Sequence, residues 1–284
     1  MPANQNIQWF PGHMAKTRRL IKETLNIVDA VAEIVDARVP LSSQNPELES
    51  IVADKPRVVL LNKCDMADPN VTAQWIEYYA KQNIPAIAVD CRSGKGLDKF
   101  KTVVKETLKD KLEYYKSKGM VGRGLRTMVV GIPNVGKSSF INKMAGNNRA
   151  KVENRPGVTR GNQWFRIDND LELLDTPGVL WPKFDDQTVG EHLAFTGAVT
   201  DRILDVELLA VRLLEILTVQ YPDLLTARYG ELDFDTEAYE LLEQIGKKRG
   251  FLQRGNSVNT ERAANMLLEE FRNCKIGRIT LERV

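Results

Sequence analysis

The sequence predicts an α/β protein: a mostly parallel, doubly wound sheet over residues 1–182, followed by an all-helical domain over 183–284. Three observations predict it. Short apolar runs ending in polar punctuation alternate with amphipathic segments through the first two-thirds of the chain. Those runs are apolar throughout instead of alternating, as befits strands covered on both faces of a parallel sheet. Beyond about residue 183 the strand signal stops and only 3.6-residue periodicity remains.

In chain order, the strand candidates are "VAEIVDAR" (31–38), "RVVLLNKCD" (57–65), "IPAIAVD" (84–90), "RTMVVGIP" (126–133) and "LELLDTPG" (171–178). Between them, "VTAQWIEYYAKQ" and "LDKFKTVVKETLKDKLEYYKSKG" read as amphipathic helices, the second lysine-rich on its outer face. "TVGEHLAFTGAV", "VELLAVRLLEILTVQ", "TEAYELLEQIGKKRG" and "NTERAANMLLEEFRNCK" are the helices of the second domain, punctuated by Pro222, Gly230, Gly250 and Gly255. The expected boundary falls near "WPKFDDQ", and no internal repeat is visible.

A chain of 284 residues, 43% apolar and 27% charged with a net charge of +2, has the composition of an ordinary soluble globular protein. Its three cysteines (Cys64, Cys91, Cys274) are widely spaced and offer neither a disulfide framework nor a zinc pattern, which suits a reducing cytoplasm. The start, "MPANQNIQWFPGHMAK", has neither a signal-peptide core nor transit-peptide character. The most apolar helical stretch carries Asp205, Glu207, Arg212 and Glu215, so no membrane span is expected.

"GIPNVGKSS" (131–139) fits G-x-x-x-x-G-K-[ST] and lies between a strand candidate and a helix start. Main-chain N–H groups from Asn134 through Val135 and Gly136 to Ser139 would wrap phosphates at a helix N-terminus. Lys137 would reach the β- and γ-phosphates, and the Ser138 hydroxyl would ligate Mg²⁺. "LLNKCD" then supplies a base reader. Asp65 can accept hydrogen bonds from guanine N1–H and its exocyclic amine together, a pair adenine lacks, so adenine would leave a buried acceptor unmatched. Asn62 would support the O6/N7 edge and the loop, while the Lys63 stem can lie over the base. "DTPG" completes the set, with Asp175 holding Mg²⁺ through water and the Gly178 N–H on the γ-phosphate.

These motifs come in an unusual order: the base reader at Asn62 precedes the phosphate loop at Gly131. "DCRSGKG" (90–96) occupies the place of the loop that meets guanine O6 through a main-chain N–H near Asp90 and Cys91. A circular permutation of the sheet explains the order, because moving the cut between surface loops leaves the sheet's contacts intact. With "QWFPGHMAKT", "VDARVPLSSQNPEL" and "GIPNVGKSSFIN", this order closely resembles the bacterial ribosome biogenesis GTPase A family of circularly permuted GTPases. The resemblance spans the chain and is most specific in the first 200 residues.

What the resemblance implies is a cytoplasmic GTPase that binds a late large-subunit ribosomal precursor and promotes its maturation; a monomer off the ribosome, away from membranes, is expected. Its intrinsic hydrolysis of GTP would be slow and stimulated by the particle. Thr159 in "RPGVTR" becomes the switch threonine over Mg²⁺, or else a capping or turn residue. Asn134 matches the asparagine that helps hold K⁺ in cation-dependent GTPases, or simply braces the loop. Val179 stands where familiar switch GTPases carry the water-orienting Gln, and it has no hydrogen-bonding group.

Of the two histidines, His192 reads as a packing or surface residue of a helix, whereas His13 lies in "WFPGHM" beside Trp9 and Phe10, a segment that must dock somewhere. The resemblance assigns water positioning to His13; an RNA contact or a helix cap is the alternative. Lys16, Arg18 and Arg19 read as a phosphate-contacting face, with an arginine finger as the weaker alternative. The stretch 246–278, with eight basic residues against three acidic, suits contact with folded RNA or a solvated helix face. A nucleotide-controlled binding switch, or a GTPase of tRNA modification or signalling, is the competing function.

Overall fold

The computed structural model describes residues 14–52, 55–120, 123–146, 163–176, 186–199, 205–255 and 257–284. Six strands form one sheet: β1 (Ala30–Asp36), β2 (Arg57–Asn62), β3 (Ala86–Ala88), β4 (Leu125–Val130), β5 (Gln163–Arg166) and β6 (Leu171–Asp175). Their spatial order is β3-β2-β1-β4-β6-β5, parallel except for β5, which pairs antiparallel with β6 at the edge. The chain runs outward from β1 to β3, then crosses back to β4 on the other side of β1. That reversal sets a crevice at the carboxyl ends of β1 and β4, the place where open α/β sheets bind ligands.

Every residue of β1 is buried, because both faces of the sheet are covered. On one face, Ala32, Ile34, Leu60 and Val129 pack under Phe100 and Val104 of α4 (Asp98–Thr107) and Phe140 and Ile141 of α6 (Lys137–Ala145). Phe100 and Phe140 meet edge-on with ring centroids 5.0 Å apart. On the other face, α1 (Met14–Leu25) covers Val31, Met128 and Leu174 with Ile21 and Leu25, helped by Val52 of α2 (Pro46–Val52). Beside it, α3 (Pro69–Lys81) lays Val71, Trp75 and Tyr79 on Val35, Val59 and Leu61. Each such fully buried large side chain contributes about 1.5–3 kcal/mol of apolar transfer free energy.

The strands stop short of the apolar runs that predict them, because the motif residues turn away: β2 ends at Asn62, and Lys63 already has φ 61°. The single helix expected over 97–119 is two, α4 and α5 (Lys109–Ser117). They part at Leu108, whose side chain is 2% exposed in the sheet's core. β5, α1, α2 and the later helix Pro222–Tyr229 have no counterpart among the sequence expectations. β5 is four residues with one buried side chain, too short for any period to register.

α7 (Gln187–Phe195), α8 (Val206–Gln220), α9 (Pro222–Tyr229), α10 (Ala238–Lys248) and α11 (Thr260–Arg272) build a helical core around Leu213, Leu217, Ile245 and Leu267. The expected boundary at 182/183 lies outside the described residues. The two halves are closely joined: Leu193, Ala198 and Val199 pack into the sheet's core, whereas Ala194 and Phe195 face the helical one. After α11 an extended tail returns to the sheet, where Leu281 N–H donates to Arg38 O (2.8 Å) and Ile279 N–H to Met66 O (3.0 Å). No helix among the described residues is long and apolar enough to cross a membrane.

Candidate active site

The loop between β4 and α6 gets its shape from backbone that only certain residues tolerate. Gly131 (φ 150°), Asn134 (φ 63°) and Gly136 (φ 106°) reverse the chain, and a Cβ at Gly136 would stand 2.2 Å from Asn62 Nδ2. α6 starts at Lys137 with Gly136 as its cap and no side chain bonded to its first amides. Those N–H groups, with the helix dipole behind them, are what an anionic phosphate requires. Ser138 and Ser139 are exposed on the first turn.

Lys137 is buried, its ammonium folded back onto Gly131 O and Ile132 O, both at 2.8 Å. Burial pulls it down to about 8, opposed by the charge of Asp175. Asp175, at the end of β6, is raised by burial, against the pull of Lys137 and a hydrogen bond from the Thr176 N–H. Each charge is thus held where desolvation penalises it and its one opposite neighbour compensates in part. A phosphate at Lys137 and a divalent cation at Asp175 and Ser138 would relieve both penalties, so these residues fit a metal-bound nucleotide. Thr176 anchors the end of β6 by donating Oγ1–H to Val129 O at 2.6 Å.

Asn62 joins the loops. Its Nδ2 donates to Val135 O at 2.6 Å and its Oδ1 accepts from Cys91 N–H at 2.9 Å, so one buried amide ties the phosphate loop to the 90–96 loop. Both amide ends are engaged with main chain instead of turned towards a base. Lys63 reaches Asp36 Oδ2 at 2.9 Å. Arg38 grips the same carboxylate through Nε and Nη2 at 2.9 and 2.7 Å. Burial alone raises the Asp36 carboxyl, but Arg38 and Lys63 outweigh it and hold it well below the ordinary range. Asp90 caps its own turn by accepting Arg92 N–H at 2.8 Å, and burial pushes the Cys91 thiol up to about 12.

These elements enclose a cleft of about 300 Å³. Asn62, Lys63 and Asp65 line it with Asp90 and Cys91, and so do Asn134, Gly136 and Ser139 of the phosphate loop. Val135 lies behind, 1% exposed. Asn134 donates Nδ2 to Gly197 O at 3.1 Å, which links the phosphate loop to the end of α7. His13, Thr159, Gly178 and Val179 lie outside the described residues. Sequence reasoning missed Arg38, Thr196 and Arg272, which also line the cleft. Arg272, near the end of α11, donates to Ala194 O (2.7 Å) and Phe195 O (3.0 Å), so its position is a product of helix packing. His192, read as packing or surface, is 7% exposed, with Nδ1 3.0 Å from both Ser42 Oγ and Glu282 Oε1.

The D-x-x-G strand β6 beside the phosphate-loop strand β4, and the N-K-x-D strand β2 beyond β1 on the other side yet earlier in the chain, define a circularly permuted GTPase. A family model described as "50S ribosome-binding GTPase" matches residues 126–248. "Ribosome biogenesis GTPase A" of Priestia megaterium is 49% identical over 277 residues, 97% of this chain and 96% of the relative. The protein of the same name from Bacillus licheniformis is 46% identical, with 98% of each chain covered. Among solved structures, GNP-bound YlqF from T. maritima aligns with a TM-score of 0.62 and 28% identity, over 94% of this chain and 98% of that one. A GDP-bound structue of TM YlqF aligns with a TM-score of 0.66 and 29% identity, over 93% and 99%. The chain belongs to the ribosome biogenesis GTPase A family, and membership implies GTP as substrate and its hydrolysis.

Proposed function

We propose that this protein hydrolyses GTP on a late large-subunit ribosomal precursor, promotes that particle's maturation, and is slow until the particle completes its active site. The observation that carries the reading is a mismatch. The cleft unites the base-reading and phosphate-binding motifs, yet the residue after D-x-x-G is Val179, which cannot orient water. A water-positioning group must come from elsewhere in the chain or from a partner. The relatives' shared name and the family description favour a ribosomal particle as that partner.

In this reading Asp65 reads guanine, the main chain from Asn134 to Ser139 wraps the phosphates, and Lys137 turns from its loop carbonyls to the β- and γ-phosphates. Ser138, Asp175 and Thr159 hold Mg²⁺, which would neutralise phosphate charge in the transition state. Asn134 offers its Oδ1 to K⁺, its Nδ2 being committed to Gly197 O. The Gly178 N–H contacts the γ-phosphate, and His13 orients the water. Residues 1–182 act as the GTPase domain and 183–284 as the RNA-contacting one, in a cytoplasmic protein that is monomeric off the particle.

The test is GTP turnover in potassium buffer, with and without purified large ribosomal subunits, for wild type and His13→Ala. Strong stimulation that the substitution abolishes while particle binding persists is the expected result. Loss of a single catalytic contact of this kind costs on the order of 10²-fold or more. No stimulation of wild type would remove the ribosome from the reading. A His13→Ala protein that hydrolyses nothing yet still matures subunits would favour a nucleotide-controlled binding switch.

A further inference from the structure

The loop that carries Asp65 leaves β2 with a left-handed residue, Lys63, and enters α3 at its cap, Asp68. Between these points it has no strand or helix to fix it. Three consecutive residues of the C-terminal tail supply the fixture. Arg278 donates Nη2–H to Cys64 O at 2.8 Å and Nε–H to Ala67 O at 3.0 Å. Ile279 N–H donates to Met66 O at 3.0 Å. Thr280 Oγ1 accepts from Asp68 N–H at 3.1 Å. The main chain is therefore held on both sides of Asp65, whose own side chain faces the cleft.

The tail reaches this loop because Gly277, at φ 150°, packs against Leu224 of α9, where a Cβ would come within 2.7 Å of that side chain. Thr280 is fully buried and also donates to Ala37 O at 3.1 Å, beyond the end of β1. The segment is thus gripped by the sheet half while its origin belongs to the helical half.

We propose that Arg278 is a positioning residue for guanine recognition, so that the helical domain sets part of the nucleotide selectivity of the GTPase domain. Its planar fork draws together two carbonyls that lie on either side of Asp65, and this fixes the curvature that aims the Asp65 carboxylate. A lysine, a single compact charge on a flexible stem, cannot hold two carbonyls in that fixed relation. Any ligand that displaces the tail from the loop would weaken guanine binding, and guanine nucleotide would oppose that displacement by the same factor.

The proposal rests on Asp65 as the guanine reader, and one experiment separates the two. Affinities for GDP and for IDP are measured by competition on the full chain for wild type, Arg278→Met, Arg278→Lys, Thr280→Val and Asp65→Asn. IDP lacks only the exocyclic amine, so the GDP-to-IDP preference reports how well the carboxylate is aimed at that amine. Arg278→Met is expected to lower the preference about three- to tenfold, the range of one hydrogen bond's net worth, with its thermal unfolding transition retained. Arg278→Lys should recover part of the loss, and Thr280→Val should shift the preference the same way by less. A preference unchanged in Arg278→Met overturns the proposal, including the case where both affinities fall in parallel. If Asp65→Asn collapses the preference and Arg278→Met does not, only the positioning role fails. If Asp65→Asn also leaves the preference intact, the assignment of the guanine reader fails first.

Discussion

Replacing Asn62 with Ala removes one side chain and two tethers. Val135 O loses the donor 2.6 Å away and Cys91 N–H loses the acceptor at 2.9 Å, at a residue 3% exposed. A buried main-chain group left without a partner costs about 1–3 kcal/mol. Two of them give about 2–6 kcal/mol, the lower end applying if water enters the space the amide leaves. Against a total stability of about 5–15 kcal/mol for an ordinary domain, that is a large fraction. Because the tethered segments are the phosphate loop and the 90–96 loop, GDP affinity should fall with stability. Urea unfolding of the nucleotide-free protein measures the first loss and titration with GDP the second. Asn62→Asp should do no better: it keeps an acceptor for Cys91 N–H but sets a carboxylate oxygen against Val135 O. An Asn62→Ala protein within about 0.5 kcal/mol of wild type, the range of an inconsequential surface change, and with unaltered GDP affinity would refute the bridging role.

Gly136→Ala should abolish most nucleotide binding, because φ 106° costs a residue with a Cβ about 1–2 kcal/mol and the new methyl would meet Asn62 Nδ2 at 2.2 Å. In the Asn62→Ala background the clash is gone, so the double variant should lose less stability than the sum of the two single losses, by about 0.5 kcal/mol or more, in the range typical of coupled contacts. Lys137→Met tests the buried ammonium, which burial brings from 10.5 down to about 8. Between those values the unfolded chain keeps the proton that the folded one has released, so this group's contribution to stability rises with pH. The Cys91 thiol, pushed from 9.0 up to about 12, acts in the opposite direction, and subtracting the Lys137→Met curve cancels it. Urea unfolding at pH 7.5, 9 and 10 should show wild type gaining about 2 kcal/mol on the variant, at 1.36 kcal/mol per unit. Saturating GDP should flatten the gain, and a flat difference without nucleotide would sink the argument.

Local chemistry alone wrote much of this into the chain. The mostly apolar runs of β1, β2 and β4, without regular polar alternation, called for cover on both faces. The glycines at 131 and 136, with Lys137 between strand and helix, fixed a phosphate loop, because sterics restrict those backbone angles to so few residue types. The motif order told of the permutation. Tertiary structure decided what depends on residues far apart meeting. β5 pairs along the open edge of β6, and its four residues are too few for a period to register in the sequence. The break at Leu108 follows from the core drawing that side chain inward. Asn62 could be named from sequence as a base-edge residue, but its two partners lie on loops that only the folded sheet brings to it. Arg272 and Arg278 look in the sequence like two more positive charges on a basic stretch. Only helix packing turns one into the cleft and lays the other across the Asp65 loop, because a charged side chain's role is set by which carbonyls the fold leaves within its reach.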